Sequence, residues 1–519
     1  MANMDLIITN ATIVRTSTPL YFDSITLTAI QATASDTLPN TDIAISNGKI
    51  ALLGTNLASF FPSTPTLSAD GAYVLPGGVD SHVHLQQDNS PTGDTWESGT
   101  RSAIAGGTTT VLAFASQKRT DESLFPVVSD YHGRARGAAH CDYGFHLILS
   151  NPSPQILADE LPTLVHEEGI TSVKLYMTYQ PMRLGDSELL DVMATTRNLG
   201  MTTMIHAENA DMIDWMTKKL EARGRTQPYG HALARPNIAE DEATYRALAL
   251  AELADVPILI VHMSSKVAAG HVRRAQTKLL PVHAETCPHY LFFTSERLKE
   301  GGFRGAMCVC SPALREDPMD LTAMWDGLVN GTFTTFSSDH APSKFDHPLG
   351  KKKGMATFTQ IPNGLPGLET RMPSLFCHGV LTGRLSVQKF VELTASNPAK
   401  LYGLSDRKGT IAPGYDADLV IWYPTAEQAA KNGTPDGVMQ PFRLTNAMLH
   451  HDIDYTPFEG MEFTNWPRYT ILRGKVVWDR DAGGVVGSAG DGEYLKRGRS
   501  TLSRPREVFV NEFNPYEGE

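Results

Sequence analysis

Two textures of apolar and polar positions divide the 519-residue chain. The first opens at "DLIITNATIV", where apolar and polar residues alternate as in a half-buried strand. "TDIAISNGKIALLG" then reads as two strands joined at Asn47-Gly48, residues that accept the positive φ of a tight hairpin turn. The same texture returns near the C-terminus in "GTIAPGYDADLVIWYP" and in "RYTILRGKVVWD", with a turn at Gly474. Strand-rich ends around a different middle predict one small sheet domain built from residues 1–76 plus 407–481. Residues 21–40, "YFDSITLTAIQATASDTLPN", are polar and poorly periodic and read as a surface insertion.

In the middle, short apolar runs alternate with helical patterns, the signature of βα units on a parallel sheet. Eight runs are strand candidates: "LPGGVDSHVH", "GGTTTVLAFA", "DYGFHLILS", "TSVKLYM", "MTTMIHAE", "PILIVHMSS", "LLPVHAETCP" and "FTTFSSDHAP". Segments such as "EDEATYRALALAELA" between them carry Ala and Leu at helical spacing. Eight such units predict an α/β fold, a (β/α)8 TIM-like barrel over residues 77–406, with chemistry at the C-terminal ends of the strands. The polar tail, 482–519, is too short for its own core. It is expected to lie on a neighbouring surface or to act as an intersubunit arm.

Charge and composition narrow the function. A net charge of −12 argues against binding a phosphate backbone. "KKK" at 351–353 is too short for a nucleic-acid patch and reads as a solvated loop. The five cysteines, Cys141, Cys287, Cys308, Cys310 and Cys377, show no framework spacing, which suits a reducing compartment. The N-terminus shows no basic stretch followed by an apolar run, and no apolar stretch reaches spanning length. A cytoplasmic protein without nucleic-acid or membrane partners is expected.

The candidate chemistry sits on the strand candidates. His82 and His84 end the first; two residues apart on a strand, they share a face. Lys174 lies inside the fourth, His206 ends the fifth, His262 the sixth and Asp339 the eighth. A single strand-end histidine is commonly a hydrogen-bonded structural residue, but six metal-competent side chains at one end of a barrel point to a metal centre. Lys174, flanked by apolar residues, is costly to bury as a cation. It is either a snorkelling or salt-bridged lysine, or a neutral amine that adds carbon dioxide to become a carbamate able to bridge two divalent ions.

The blocks "DSHVHLQ", "SVKLYMTY", "IHAEN", "HALARP", "IVHMSS", "AETCPHYL", "CSPALR", "SDHAP" and "IPNGLPGLETRMP" resemble, in order, the cyclic amidohydrolases, most closely dihydropyrimidinases and hydantoinases. The resemblance runs from "LIITNATIV" to "RGKVVWD". It implies a barrel with a β-sandwich domain from both chain ends, a binuclear centre of two divalent metal ions, usually zinc, and a carboxylated lysine. Carried over by position, one metal takes His82, His84 and Asp339, and the second takes His206 and His262. Lys174, as its carbamate, bridges both together with a hydroxide. The implied reaction is hydrolysis of a cyclic amide. Asp339 moves the proton from the attacking hydroxide to the leaving nitrogen, and Tyr179 donates to the oxyanion. Backbone groups at Ser311 and Asn363 hold the substrate's amide edge. The family is commonly tetrameric, so a homotetramer or dimer is expected.

Some positions depart from the pattern. His289 in "TCPHYL" stands where dihydropyrimidinases more often have glutamine and allantoinases histidine; it reads as a packed residue or one that supports the metal ligands from behind. His340 reads as a hydrogen-bonding neighbour of Asp339. Cys308 and Cys310 read as small packing residues, and His450-His451 as structural residues away from the strand ends. The loop after His84, "LQQDNSPTGDTW", is polar apart from Leu85 and Trp96, where hydantoinases often carry apolar residues. The loop after the fourth strand offers Met182 and Leu184. An allantoinase-like ureide hydrolase is the alternative within enzymes, and "KLYMTY" argues against it. A catalytically silent scaffold of the collapsin response mediator type is the non-enzyme alternative. The intact set of six ligands argues against that.

Overall fold

In the computed structural model, residues 4–14 and 37–517 are described. All eight expected middle strands form, in order: Gly78–Val83, Thr108–Ser116, Asp142–Ile148, Ser172–Tyr176, Thr202–His206, Ile258–Ile260, Val282–Thr286 and Thr335–Phe336. Each pairs in parallel with its sequence neighbours. Their residues are almost all buried, as strands covered on both faces require. The eighth strand reaches back to the first through a parallel bridge between Val83 and His340, and the His84 N–H donates to the His340 carbonyl at 2.8 Å. The result is a (β/α)8 barrel.

The covering helices start and stop where local chemistry dictates. Ser265 accepts from the Val267 and Ala268 amides at the start of helix Lys266–Thr277. Asp317 caps Pro318–Asn330, which ends at Gly331 with φ of 84°. The "EDEATYRALALAELA" segment lies within helix Asn237–Ala254.

Strands from both chain ends share one nine-stranded mixed sheet, which forms the smaller β-sandwich domain. Tyr73–Pro76 runs parallel to Leu6–Val14 and antiparallel to Leu419–Trp422, so the chain entering the barrel pairs with the chain leaving it. Ile8, Ile13, Ile43, Ile45, Val74, Leu419 and Ile471 form its core. Asn47 and Gly48, at φ of 51° and 74°, make the expected hairpin turn, and Arg473 and Gly474 make a second.

Several expectations need correction. Residues 21–36 lie outside the described residues, but Thr37–Asn40 are no insertion. They begin strand Thr37–Ser46, with Leu38 opposite Ile13. Their outer end is solvated, so the apolar alternation that marks a strand is missing there. Of "GTIAPGYDADLVIWYP" only Leu419–Trp422 is strand. Asp416 instead anchors a turn through Lys49, Arg407 and Lys408. "KKK" is not a solvated loop throughout, because Lys351 is fully buried with its ammonium on three backbone carbonyls. The described tail follows its own barrel: Leu495 donates to Tyr143 at 2.7 Å, Arg497 to Gly169 at 3.0 Å and Thr501 to Lys400 at 2.9 Å. All five cysteines are buried and unbridged. Among the described residues no helix is long and apolar enough to cross a membrane.

Candidate active site at the mouth of the barrel

The C-terminal ends of the strands converge on a cavity of about 230 Å³. His82, on the first strand, and His84, just past it, place their rings 5.4 Å apart, and both pack on Phe114 of the second strand. Asp339 lies three residues past the eighth strand. Its Oδ1 is 3.2 Å from His82 Nε2 and 3.6 Å from His84 Nε2. One donor atom from each of these residues falls within 4.8 Å of the others, spacing that a single cation can span. The His262 ring stands 5.3 Å from that of His82 and 4.5 Å from that of His206. His262 Nδ1 is buried with no hydrogen-bond partner among the described residues, which leaves it for another occupant.

Lys174 enters from the fourth strand, completely buried, with Nζ 3.3 Å from His82 Nε2. Its ammonium lies 5.0 Å from the Phe114 ring centre and 5.2 Å from that of Tyr176. Burial pulls its pKa down to about 8, although Asp339 and Glu285 oppose that. A neutral amine is therefore accessible near neutral pH, which carbon dioxide addition requires. Burial also holds His82, His206 and His262 below the usual imidazole range, so they are neutral and their ring nitrogens can serve as ligands. The donor set fits a divalent cation: imidazoles, a carboxylate and an amine that can become an anion, buried apart from the partly exposed His84.

Two glutamates orient this set, and neither was assigned a role from sequence. Glu285, on the seventh strand, shares a hydrogen bond with His82 Nδ1 at 2.5 Å, which turns Nε2 towards Lys174 and Asp339. Burial raises its pKa to about 8. Glu208 lies 2.7 Å from His206 Nε2 and takes Arg235 Nη1 at 2.5 Å. Burial works against its charge, but Arg235 and His206 outweigh it and hold Glu208 at about 2. The spacing His206-x-Glu208 at a strand end was the available signal, since residues two apart share a face.

Tyr179, in the loop after the fourth strand, packs its ring 5.4 Å from that of His206. Asn363 Nδ2 donates to Tyr179 Oη at 3.0 Å and to Ser311 Oγ at 3.1 Å, so the three expected substrate residues meet. Burial raises the Tyr179 pKa even though Arg235 opposes it, which keeps the phenol protonated and able to donate. Tyr179, His262 and Asp339 adopt φ of 63°, 37° and 46°. Such left-handed backbone costs roughly 1–3 kcal/mol at a non-glycine residue and persists where its surroundings hold it.

The remaining expectations divide. His340 binds Asp94 through Nε2 at 3.0 Å and accepts the Gly367 amide on Nδ1 at 3.2 Å, bracing the end of the eighth strand. His289 packs 4.1 Å from the Tyr290 ring and does not line the cavity. Gln86, Gln87, Asn89 and Ser90 line it, whereas Leu85 and Trp96 are in the core, so this wall is polar. Met182 lines the cavity, but Leu184 does not; it turns into the core. His450 pairs with Glu369 at 2.9 Å, and the Asp452 amide two residues on binds Asp94. This segment thus lies nearer the barrel mouth than its position in the chain suggests.

Known proteins share this architecture. The chain is 41% identical over 472 residues to D-hydantoinase of Geobacillus stearothermophilus, covering 90% of this chain and 95% of the relative. It is 38% identical to D-hydantoinase of Ralstonia pickettii, covering 95% and 99%. The crystal structure of dihydropyrimidinase from Brevibacillus agri superposes with a TM-score of 0.86 at 36% identity, over 96% of this chain and 99% of that one. Residues 73–477 match the amidohydrolase family, and the chain belongs to that family.

Proposed function

We propose that the protein is a metal-dependent cyclic amidase that opens dihydropyrimidine and hydantoin rings to N-carbamoyl amino acids. The observation that carries this reading is the convergence of six donors, His82, His84, Lys174, His206, His262 and Asp339, beside a cavity of about 230 Å³. The hydantoinase and dihydropyrimidinase names of the relatives support the substrate class.

His82, His84 and Asp339 would hold one divalent ion and His206 and His262 the other, with Lys174 as its carbamate between them. Zinc suits this mixture of imidazole and oxygen donors. When bound, the ions supply a water of lowered pKa and polarise the ring carbonyl. The protein's residues do the rest. Asp339 takes the proton of the attacking water and returns it to the ring nitrogen as the C–N bond breaks and a C–O bond forms. The Tyr179 phenol donates to the carbonyl oxygen as that oxygen gains charge. Backbone groups at Ser311 and Asn363 hold the amide edge, and Glu285 and Glu208 keep His82 and His206 turned inward.

The same reading divides the chain into a β-sandwich domain, 1–76 plus 407–481, a barrel, 77–406, and a tail, 482–519, that also serves between subunits of a homotetramer or dimer. It places the protein in the cytoplasm. The test is a ring-opening panel on zinc-loaded protein with dihydrouracil, dihydrothymine, hydantoin, phenylhydantoin and allantoin. Opening of the dihydropyrimidines and hydantoins well above allantoin is expected. Turnover of allantoin alone would transfer the protein to the ureide hydrolases, and turnover of none would reject the reading.

A further inference from the structure

Lys351 is a long charged side chain with no exposed surface, remote in sequence from every strand end. Its ammonium donates to the carbonyls of Val309 at 3.1 Å, Pro362 at 2.7 Å and Gly364 at 2.7 Å. Three N–H donors thus meet three acceptors, the full capacity of a lysine head. Burial pulls its pKa down to about 7. The three carbonyls favour the charged form, because only an ammonium supplies a donor to each.

The carbonyls belong to two different loops, and each loop carries one of the substrate residues. Val309 lies two residues before Ser311. Pro362 and Gly364 flank Asn363. The Gly364 amide also donates to the Val309 carbonyl at 3.0 Å, so the loops are tied twice at one point. Gly364 has φ of 118°, and a Cβ there would stand 2.1 Å from the Ala341 carbonyl. The segment therefore has little freedom to settle elsewhere. With both flanking carbonyls drawn to Lys351, Asn363 lines the cavity opposite, where its amide spans Tyr179 and Ser311.

We propose that Lys351 is a positioning residue whose ammonium clamps the loops around residues 309–311 and 362–364 at the separation needed for Ser311 and Asn363 to hold the amide edge of the ring. This rests on the cyclic amidase reading. Lys351 touches neither substrate nor metal ligands, so its contribution falls on substrate binding and on loop order rather than on the chemical step.

The test compares zinc-loaded wild type with Lys351→Met, which keeps the volume and removes all three donors, and Lys351→Gln, which keeps two N–H donors. Steady-state hydantoin opening should show KM raised about tenfold or more in Lys351→Met, less in Lys351→Gln, and kcat within about threefold, since hydrogen bonds to the amide edge weaken while Asp339 and Tyr179 are carried by other segments. Metal content should be unchanged. Hydrogen exchange should quicken in peptides covering 307–312 and 361–366, and remain as in wild type elsewhere in the barrel. If Lys351→Met does not fold, the Lys351→Gln data decide alone. Wild-type KM, or a lowered melting temperature without local change in exchange, overturns the proposal and leaves Lys351 a core residue. If wild type opens no cyclic amide, the functional reading has failed. The exchange data then still decide whether the clamp exists.

Discussion

Replacing Tyr179 with phenylalanine isolates one oxygen atom. The ring keeps its packing on Tyr176 at 5.9 Å and on His206 at 5.4 Å, and the Arg235 guanidinium stays 5.1 Å from its centre. The unusual backbone, φ 63°, is equally open to both residues. The free protein loses the bond from Asn363 Nδ2, which keeps its second acceptor in Ser311 Oγ at 3.1 Å. Stability should therefore fall by only about 1 kcal/mol. The transition state loses a donor aimed at developing negative charge, an effect of about 2–4 kcal/mol. This corresponds to a drop in kcat of roughly 30- to 900-fold. The assay is hydantoin opening under saturating substrate, with thermal melts and metal analysis as controls for folding and occupancy. A variant that melts like wild type, holds its metal and turns over at the wild-type rate would make Tyr179 a packing residue.

Lys174→Ala should lose most of its bound metal and activity, and short carboxylic acids should restore part of both by replacing the bridging carboxylate. Normal metal content in that variant would refute the carbamate. Asp339→Asn should lower kcat by roughly 10²–10⁴ through loss of proton transfer; near-normal turnover would reassign the proton to another group. Asp416 offers a test of the junction between barrel and sandwich. Burial opposes its charge, but Lys408, Lys49 and Arg407 hold its pKa at about 2, below the 3.8 of a free aspartate. A depressed carboxylate stabilises the fold fully above the unfolded pKa and loses that contribution as pH falls through the folded one. The stability gap between wild type and Asp416→Asn, measured by urea melts, should be full at about pH 5 and shrink towards about pH 2. A gap that widens with acid would contradict the assignment.

The parts of the molecule legible in sequence are those governed by local periodicity. The eight strands announce themselves because parallel strands buried on both faces require continuous apolar runs. The His82-x-His84 pair was legible because a strand repeats every two residues. Asn47-Gly48 and Gly474 were legible because few residues accept positive φ. What was not legible depends on contacts between distant segments. Glu285 meets His82 across 203 positions, and its own neighbours reveal nothing of that partner. Lys351 looks like one of three equivalent lysines until the carbonyls of Val309, Pro362 and Gly364 are brought around it. Leu184 and Met182 are near neighbours in one loop, and only packing decides that one faces the core and the other the cavity.

The central claim is that hydrolysis depends on two divalent ions held together by a carboxylated lysine. It is tested most directly by titrating metal-stripped protein with zinc in bicarbonate buffer while following hydantoin opening. Activity should rise until two equivalents are bound per chain, and wild type prepared without carbon dioxide should recover only when bicarbonate is added. Full activity in the stripped protein, or saturation at one equivalent with no response to bicarbonate, would contradict it.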